Sequence, residues 1–255
     1  MIILYHKVDK QFEIHPSQIN TKLFSKHIDY ISKKFTTLTT NEYINSKIKN
    51  KLSITFDDGY ENILHYAYPI MEKYNLKGTI FIPTDYIGKL NSWDVNIDKK
   101  KYKHLDKEQI KFLSDHGWEI GSHSTDHKSL LFKSKKEVKY ILEKSKDILE
   151  NITNKNVFGI SFPFGHYNKS ILEISNKIYS YSVCVKNLHL KKIKSIYSRK
   201  PIYSFDYMPI FKNKLKKNYL FYSLTEIYDY GHFLFTFGTP AFQYIKTKLS
   251  DIKYR

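Results

Sequence analysis

The sequence contains one cysteine, Cys184, in 255 residues, which excludes an internal disulfide framework and any metal site built from several cysteines. No apolar run approaches the roughly 20 residues needed to cross a bilayer. Residues 1–8, MIILYHKV, lack a basic n-region and are too short and too polar at His6 for a signal peptide. We therefore expect a soluble chain in a reducing compartment, the cytoplasm, with peripheral contact at a membrane as a further expectation.

Acidic residues are scarce relative to basic ones, with 25 Asp and Glu against 42 Lys and Arg and a formal charge of +17. This excess favours an anionic partner: a nucleic acid, a membrane face or an acidic substrate. The sequence has no zinc-finger, ribonucleoprotein or arginine-rich signature, and its lysines are scattered. We therefore predict no nucleic-acid partner. The alternative, suggested by charge alone, would show binding that depends steeply on salt.

Strand-like and helix-like patterns alternate along most of the chain. IILYH, LSITF and GTIFIP have the pattern of buried strands, whereas Phe24, Ile28, Ile31 and Phe35 recur at the spacing of an amphipathic helix. The alternation predicts a parallel sheet with right-handed crossovers. About seven such units favour an α/β fold of the distorted (β/α)7-barrel type over an open sheet. In barrels of this kind, functional groups lie at the C-terminal ends of the strands.

The alternating pattern stops near residue 204, which divides the chain into a predicted barrel, residues 1–203, and a C-terminal extension, residues 204–255. The extension is rich in lysine and aromatic residues. One interpretation is that it forms extra helices packed on the barrel, because aromatic residues at helical spacing are usually core residues. The other is that it is a basic, aromatic surface that contacts membrane headgroups or a lipid-linked substrate.

Polar residues follow two of the predicted strands. Asp57 and Asp58 come directly after LSITF, and His123 and His127 follow the strand WEIGS. In one interpretation, the segment Asp57–Asp58 with the following glycine is an ordinary turn that caps a helix. The spacing of the two histidines, HxxxH, is by itself weak evidence for a site. Two histidines and one carboxylate, however, form a metal-binding set with open coordination positions. A cation bound by one acid would also relieve its repulsion with the other.

A third predicted strand ends in SFPFGHYN, where Pro163 and Gly165 bend the chain. The bend can be a simple turn into the next helix. It can also fix the backbone N–H of Phe164 so that the N–H points at a developing oxyanion.

TFDDG, HSTDH and FPFG resemble, in order and at suitable spacing, three motifs of the polysaccharide deacetylases, carbohydrate esterase family four. The resemblance covers roughly residues 1–203 and implies a distorted β/α barrel that removes acetyl groups from amino sugars with a divalent metal ion. It implies that Asp57 is the catalytic base and that the Phe164 N–H lines the oxyanion hole. The implied metal ligands are Asp58, His123 and His127. An N₂O set suits zinc, with cobalt, nickel or iron as alternatives.

Two positions depart from the usual family pattern. Ser161 stands where the third motif normally begins with an arginine that orients the base, and His189 is a poor match to the late catalytic histidine. The chain also resembles the permuted branch of the family, the poly-N-acetylglucosamine deacetylases. IILYHKV matches the N-terminal strand of that branch and implies His6 as the catalytic acid, and YSRKPI implies that Arg199 pairs with Asp57. Alternatively, His6 is a structural imidazole and Arg199 a solvated surface charge.

Taken together, the motifs predict a metal-dependent hydrolase that removes N-acetyl groups from an amino-sugar glycan of the cell envelope or its lipid-linked precursor. We predict that Trp93, Pro163 and Tyr167 contact this N-acetylated saccharide, although a loop tryptophan can equally be a packing anchor. Two alternatives remain. One is an O-acetyl esterase, for which the loss of His6 would matter less because an alkoxide leaves more easily than an amine. The other is an inactive glycan-binding protein of the same fold.

Overall fold

A computed structural model describes residues 1–11, 16–92, 101–185 and 195–216. The strands are β1 (Ile2–Tyr5), β2 (Lys7–Asp9), β3 (Gln18–Asn20), β4 (Thr36–Thr37), β5 (Lys51–Phe56), β6 (Thr79–Ile82), β7 (Glu119–Ser122), β8 (Gly159–Ser161), β9 (Tyr181–Cys184), β10 (Ile196–Ser198) and β11 (Lys200–Pro201). The α-helices are α1 (Thr21–Lys34), α2 (Thr40–Asn45), α3 (Tyr68–Glu72), α4 (Lys107–Asp115), α5 (Lys135–Thr153), α6 (Lys169–Ile178) and α7 (Met208–Leu215).

The main sheet is parallel and has the order β10-β9-β8-β7-β6-β5-β1-β11, with β4 pairing on β5. β10 and β11 are separated by Arg199 alone; β10 pairs with β9 and β11 pairs with β1. One short segment therefore joins the two ends of the sheet. This segment, β10 to β11, counts as one strand position. With β1 and β5 to β9 it gives seven strand positions around a nearly closed barrel. The predicted distorted (β/α)7 barrel is confirmed.

Apolar side chains form two layers around this sheet. The larger layer packs the barrel against its helices and includes Ile54 of β5 and Ile80 of β6. A smaller cluster contains Ile2, Phe81, Tyr181 and Val183. The rings of this second cluster need space from glycines on neighbouring strands, because a Cβ added at Gly159 would lie 2.0 Å from Cζ of Tyr181.

The helix boundaries follow from local sequence signals. Ser134 and Glu137 form a capping box at the start of α5, and Asp106 and Gln109 form another at the start of α4. The helix predicted from Phe24, Ile28 and Ile31 is α1, and these three side chains are buried. The helical segment after Asp57–Asp58 begins with a π-helical turn, Ile63–Ala67, and continues into α3.

The described part of the C-terminal extension includes α7, which packs on α1 through Phe211. The rings of Phe211 and His27 are stacked with centroids 3.6 Å apart. This contact concerns α7 alone. The boundary at residue 204, the interpretation of extra helices on the barrel and the membrane-contacting surface stay predictions. Among the described helices, none is both long and apolar enough to cross a bilayer.

Candidate active site

Four segments bring polar side chains to one mouth of the barrel, and a fifth contributes Phe164. His6 follows β1, Asp57 and Asp58 follow β5, His123 follows β7, and Arg199 lies between β10 and β11. His127 is carried on the same loop as His123, and Phe164 lies just beyond β8. Because the strands are parallel, their C-terminal ends meet at the same end of the barrel. The side chains predicted from separate motifs are thereby brought together.

Asp58, His123 and His127 form a compact, buried triad. Asp58 Oδ1 lies 3.4 Å from Nε2 of His123 and 3.2 Å from Nε2 of His127. One ligand atom from each residue lies within 4.8 Å of the others, and all three residues are buried. His123 donates from Nδ1 to the carbonyl oxygen of Ser161, 2.7 Å away. This bond leaves Nε2 of His123 as the atom facing Asp58.

The donor set of the triad fits a divalent metal ion. It offers two imidazole nitrogens and one carboxylate oxygen at separations that a single cation can span. Burial acts to raise the pKa of the Asp58 carboxyl, but hydrogen bonds to His123 and His127 hold that pKa well below its usual range. The carboxylate is therefore ionised and ready to bind a cation.

Asp57 is held apart from the triad by a buried arginine. Arg199 donates from its two terminal nitrogens to Oδ1 and Oδ2 of Asp57, each at 2.7 Å. Burial acts to raise the pKa of the Asp57 carboxyl, but the Arg199 charge and that of His123 lower it. Asp57 is thus an ionised carboxylate with a fixed orientation, as the predicted role of catalytic base requires.

Ser161 occupies the position at which the usual family pattern has an arginine. Its hydroxyl donates to Asp57 Oδ2 at 3.0 Å and accepts from Arg199 at 2.8 Å. Its main-chain carbonyl oxygen is the acceptor that orients His123. The serine therefore contacts the base through its side chain and the metal triad through its backbone. The sequence showed only that the arginine of the usual motif is absent at this position. It did not predict the hydrogen bonds that Ser161 makes.

His6 is half-buried at the end of β1. Burial lowers the pKa of its imidazole, while the negative charges of Asp58 and Asp57 act in the opposite direction. His6 therefore lies close enough to both acids for their charges to act on its imidazole. Its role as a catalytic acid stays a prediction.

Phe164 has a left-handed backbone, with φ 59° and ψ 7°. Its ring lies 4.8 Å from that of His127, measured between centroids. Within the described residues, its N–H has no hydrogen-bond acceptor. A backbone N–H without an acceptor among the described residues is what an oxyanion-hole donor requires.

The predicted substrate-contacting residues differ in where they lie. Pro163 is buried. Tyr167 is half-buried and stacks on Phe162 with centroids 5.4 Å apart, so much of its ring packs against the core. Burial raises the pKa of Tyr167 to about 12. Trp93 and His189 lie outside the described residues, and contact of Trp93, Pro163 or Tyr167 with a saccharide stays a prediction.

The family model for polysaccharide deacetylase matches residues 45–181, more than half of the chain. YxkH of Bacillus subtilis (strain 168), whose name assigns it to the polysaccharide deacetylases, is 31% identical over 183 residues, which cover 69% of this chain and 60% of that protein. The poly-beta-1,6-N-acetyl-D-glucosamine N-deacetylase of Staphylococcus aureus (strain MSSA476) is 30% identical over 175 residues, 66% of this chain and 59% of that protein. The chain thus spans about three fifths of these relatives.

Solved structures show the same fold. The Streptococcus pyogenes deacetylase PplD, in complex with acetate, has a TM-score of 0.72 and 20% identity, over 84% of this chain and 97% of that one. IcaB from Ammonifex degensii has a TM-score of 0.70 and 16% identity, over 84% and 94%. The structural neighbours agree with the barrel, and the sequence matches decide the family. This chain belongs to the polysaccharide deacetylase family, as the motifs predicted.

Proposed function

We propose that this protein is a metal-dependent hydrolase that removes N-acetyl groups from an amino-sugar glycan of the cell envelope or from its lipid-linked precursor. One observation carries the proposal. An ionised carboxylate, Asp57, is locked by Arg199 beside the separate Asp58–His123–His127 triad. A site that only bound glycan would have no use for a buried acid kept free of the metal ligands.

The triad residues Asp58, His123 and His127 would hold the metal ion. When bound, a divalent cation supplies Lewis acidity, which polarises the acetyl carbonyl group and makes a water molecule more acidic. The N₂O donor set suits zinc, and cobalt, nickel or iron are alternatives to be tested.

Four other groups would act on the substrate or on each other. Asp57 accepts the proton of the attacking water, and Arg199 keeps the two carboxylate oxygens of Asp57 in place. The Phe164 N–H donates to the developing oxyanion. His6 donates a proton to the departing sugar nitrogen, because an amine is a poor leaving group without one.

The Staphylococcus aureus relative suggests the first substrate to test. Its name specifies poly-beta-1,6-N-acetyl-D-glucosamine, so we propose a polymer of N-acetylglucosamine as the first member of the substrate class. Acetate release should be measured with this polymer, with other N-acetylhexosamine polymers and with lipid-linked N-acetylated sugars. A matched panel of O-acetylated sugars tests the esterase alternative.

The decisive experiment compares wild-type protein with Asp57→Asn, each stripped of metal and then reloaded. We expect no acetate release from either metal-free protein, a rate about 10²–10⁴-fold lower in reloaded Asp57→Asn than in reloaded wild type, and equal metal content in the two reloaded proteins. Oligosaccharide binding without acetate release from the reloaded wild type would overturn the proposal and favour the inactive glycan-binding protein.

A further inference from the structure

The metal triad contains an unusual stretch of backbone. Asp58 has φ 68° and the next residue, Gly59, has φ 62°. Glycine adopts this left-handed conformation freely, but for other residues such a conformation costs on the order of 1–3 kcal/mol and persists only where neighbouring groups hold it. The groups that hold Asp58 therefore determine whether its carboxylate faces the two histidines.

The holding groups come from a segment outside the three motifs. Nδ1 of His104 lies 2.7 Å from the carbonyl oxygen of Asp58, and the Leu105 N–H donates to the carbonyl oxygen of Gly59 at 2.9 Å. A carbonyl oxygen carries no proton, so Nδ1 of His104 must be the donor. His104 is fully buried, and its ring stacks on that of Tyr60 with centroids 4.7 Å apart.

We propose that His104 is a positioning residue for the metal site. By donating to the main-chain oxygen of Asp58, it fixes the peptide in the left-handed conformation and so directs Oδ1 of Asp58 towards His123 and His127. A rotated peptide would move Oδ1 away from its separations of 3.4 and 3.2 Å from the two imidazoles. The inference rests on the proposed metal-binding function of the triad.

The test compares His104→Leu with His104→Asn, two replacements of similar size. Only asparagine has an amide N–H that can replace the Nδ1–H donor. The metal-free proteins are titrated with Zn²⁺ against a chelating dye and with Co²⁺ by visible absorption. We expect metal affinity about 10–100-fold weaker in His104→Leu and close to wild type in His104→Asn.

His27 provides a matched control. It is also a buried histidine, and its Nε2 lies 2.8 Å from the carbonyl oxygen of Asp206; it lies on α1, where its ring stacks on Phe211. His27→Leu should lower the thermal midpoint without weakening metal binding. Equal metal affinities in His104→Leu and His104→Asn would overturn the inference. Failure of the wild type to bind metal would instead overturn the proposed function, and the inference with it.

A measurement on the wild type covers the case in which His104→Leu does not fold. Nitrogen NMR distinguishes the two neutral tautomers of a histidine ring. The inference requires a proton on Nδ1 of His104 at neutral pH. A ring protonated on Nε2 alone could not donate to Asp58, and this result would overturn the inference.

Discussion

Replacement of Arg199 by methionine tests the buried ion pair that holds the base. The side chains of Arg199 and Asp57 are only 1% and 6% exposed. The guanidinium group makes two bonds of 2.7 Å to Asp57 and contacts Ser161 at 2.8 Å and Thr55 at 3.3 Å. Breaking a buried pair by removing one partner costs about 3–5 kcal/mol, because it leaves the other charge uncompensated. We expect Arg199→Met to lose this amount of unfolding free energy at pH 7.

The loss of unfolding free energy in Arg199→Met should be smaller at low pH than at pH 7. In the wild type, Arg199 helps to hold the pKa of Asp57 below its usual range although burial acts to raise it. The stability from the depressed pKa is therefore fully present above about pH 4, the unfolded value, and is lost as the pH falls through the folded pKa. In Arg199→Met, burial still raises the pKa of Asp57, and only the weaker influence of His123 and His6 opposes it, so protonation of Asp57 relieves the penalty. The difference in unfolding free energy between Arg199→Met and the wild type should become smaller as the pH falls from 7 to 4.

The assay is urea unfolding of the metal-free proteins, monitored by the fluorescence of buried Trp118. The double variant Asp57→Asn/Arg199→Met removes both charges and should recover most of the lost stability, since it leaves no buried unpaired charge. Two results together would refute the idea that an unpaired buried charge on Asp57 destabilises Arg199→Met. They are a double variant no more stable than Arg199→Met, and a loss of unfolding free energy in Arg199→Met that does not change with pH.

Three further predictions concern the base, the acid and the barrel interior. Ser161→Ala should lower kcat by about tenfold through loss of a hydrogen bond to a charged group, with unchanged metal affinity because the main-chain carbonyl remains. Ser182→Ala, at a buried serine paired with Ser175, is the control for steady-state kinetics. His6→Asn should slow acetate release from N-acetyl sugars by about 10²-fold or more but from O-acetyl sugars much less; equal losses would contradict the acid role. Gly159→Ala should cost about 1–3 kcal/mol in calorimetry, because its Cβ would displace the Tyr181 ring; an unchanged midpoint would contradict this.

The sequence was sufficient to predict the parts of the site that lie next to regular strands. Asp57, Asp58 and His123 follow segments with the pattern of strands, and parallel strands bring their C-terminal ends together. Capping residues such as Ser134 and Glu137 likewise specify a helix start locally. These features depend on nearest neighbours along the chain and on a general rule of barrel geometry.

Other features depend on contacts between distant segments. The His104 bond to Asp58 spans 46 positions, and the Ser161 bond to Asp57 spans 104. Neither residue has a spacing that signals its role. The resemblance to the permuted branch suggested Arg199 as a partner of Asp57, but the two bonds of 2.7 Å arise from the way the barrel closes at Arg199.

The amino-acid sequence by itself determined the family, the barrel and the identity of the acids and imidazoles at its mouth, because periodicity and short motifs are properties of neighbouring residues. Only the tertiary structure decided how those groups are held. The left-handed backbone at Asp58 is held by a bond from His104, and the bonds of Arg199 and Ser161 to Asp57 require strands that are far apart in the sequence to meet. Such constraints come from barrel closure, which no local segment specifies alone.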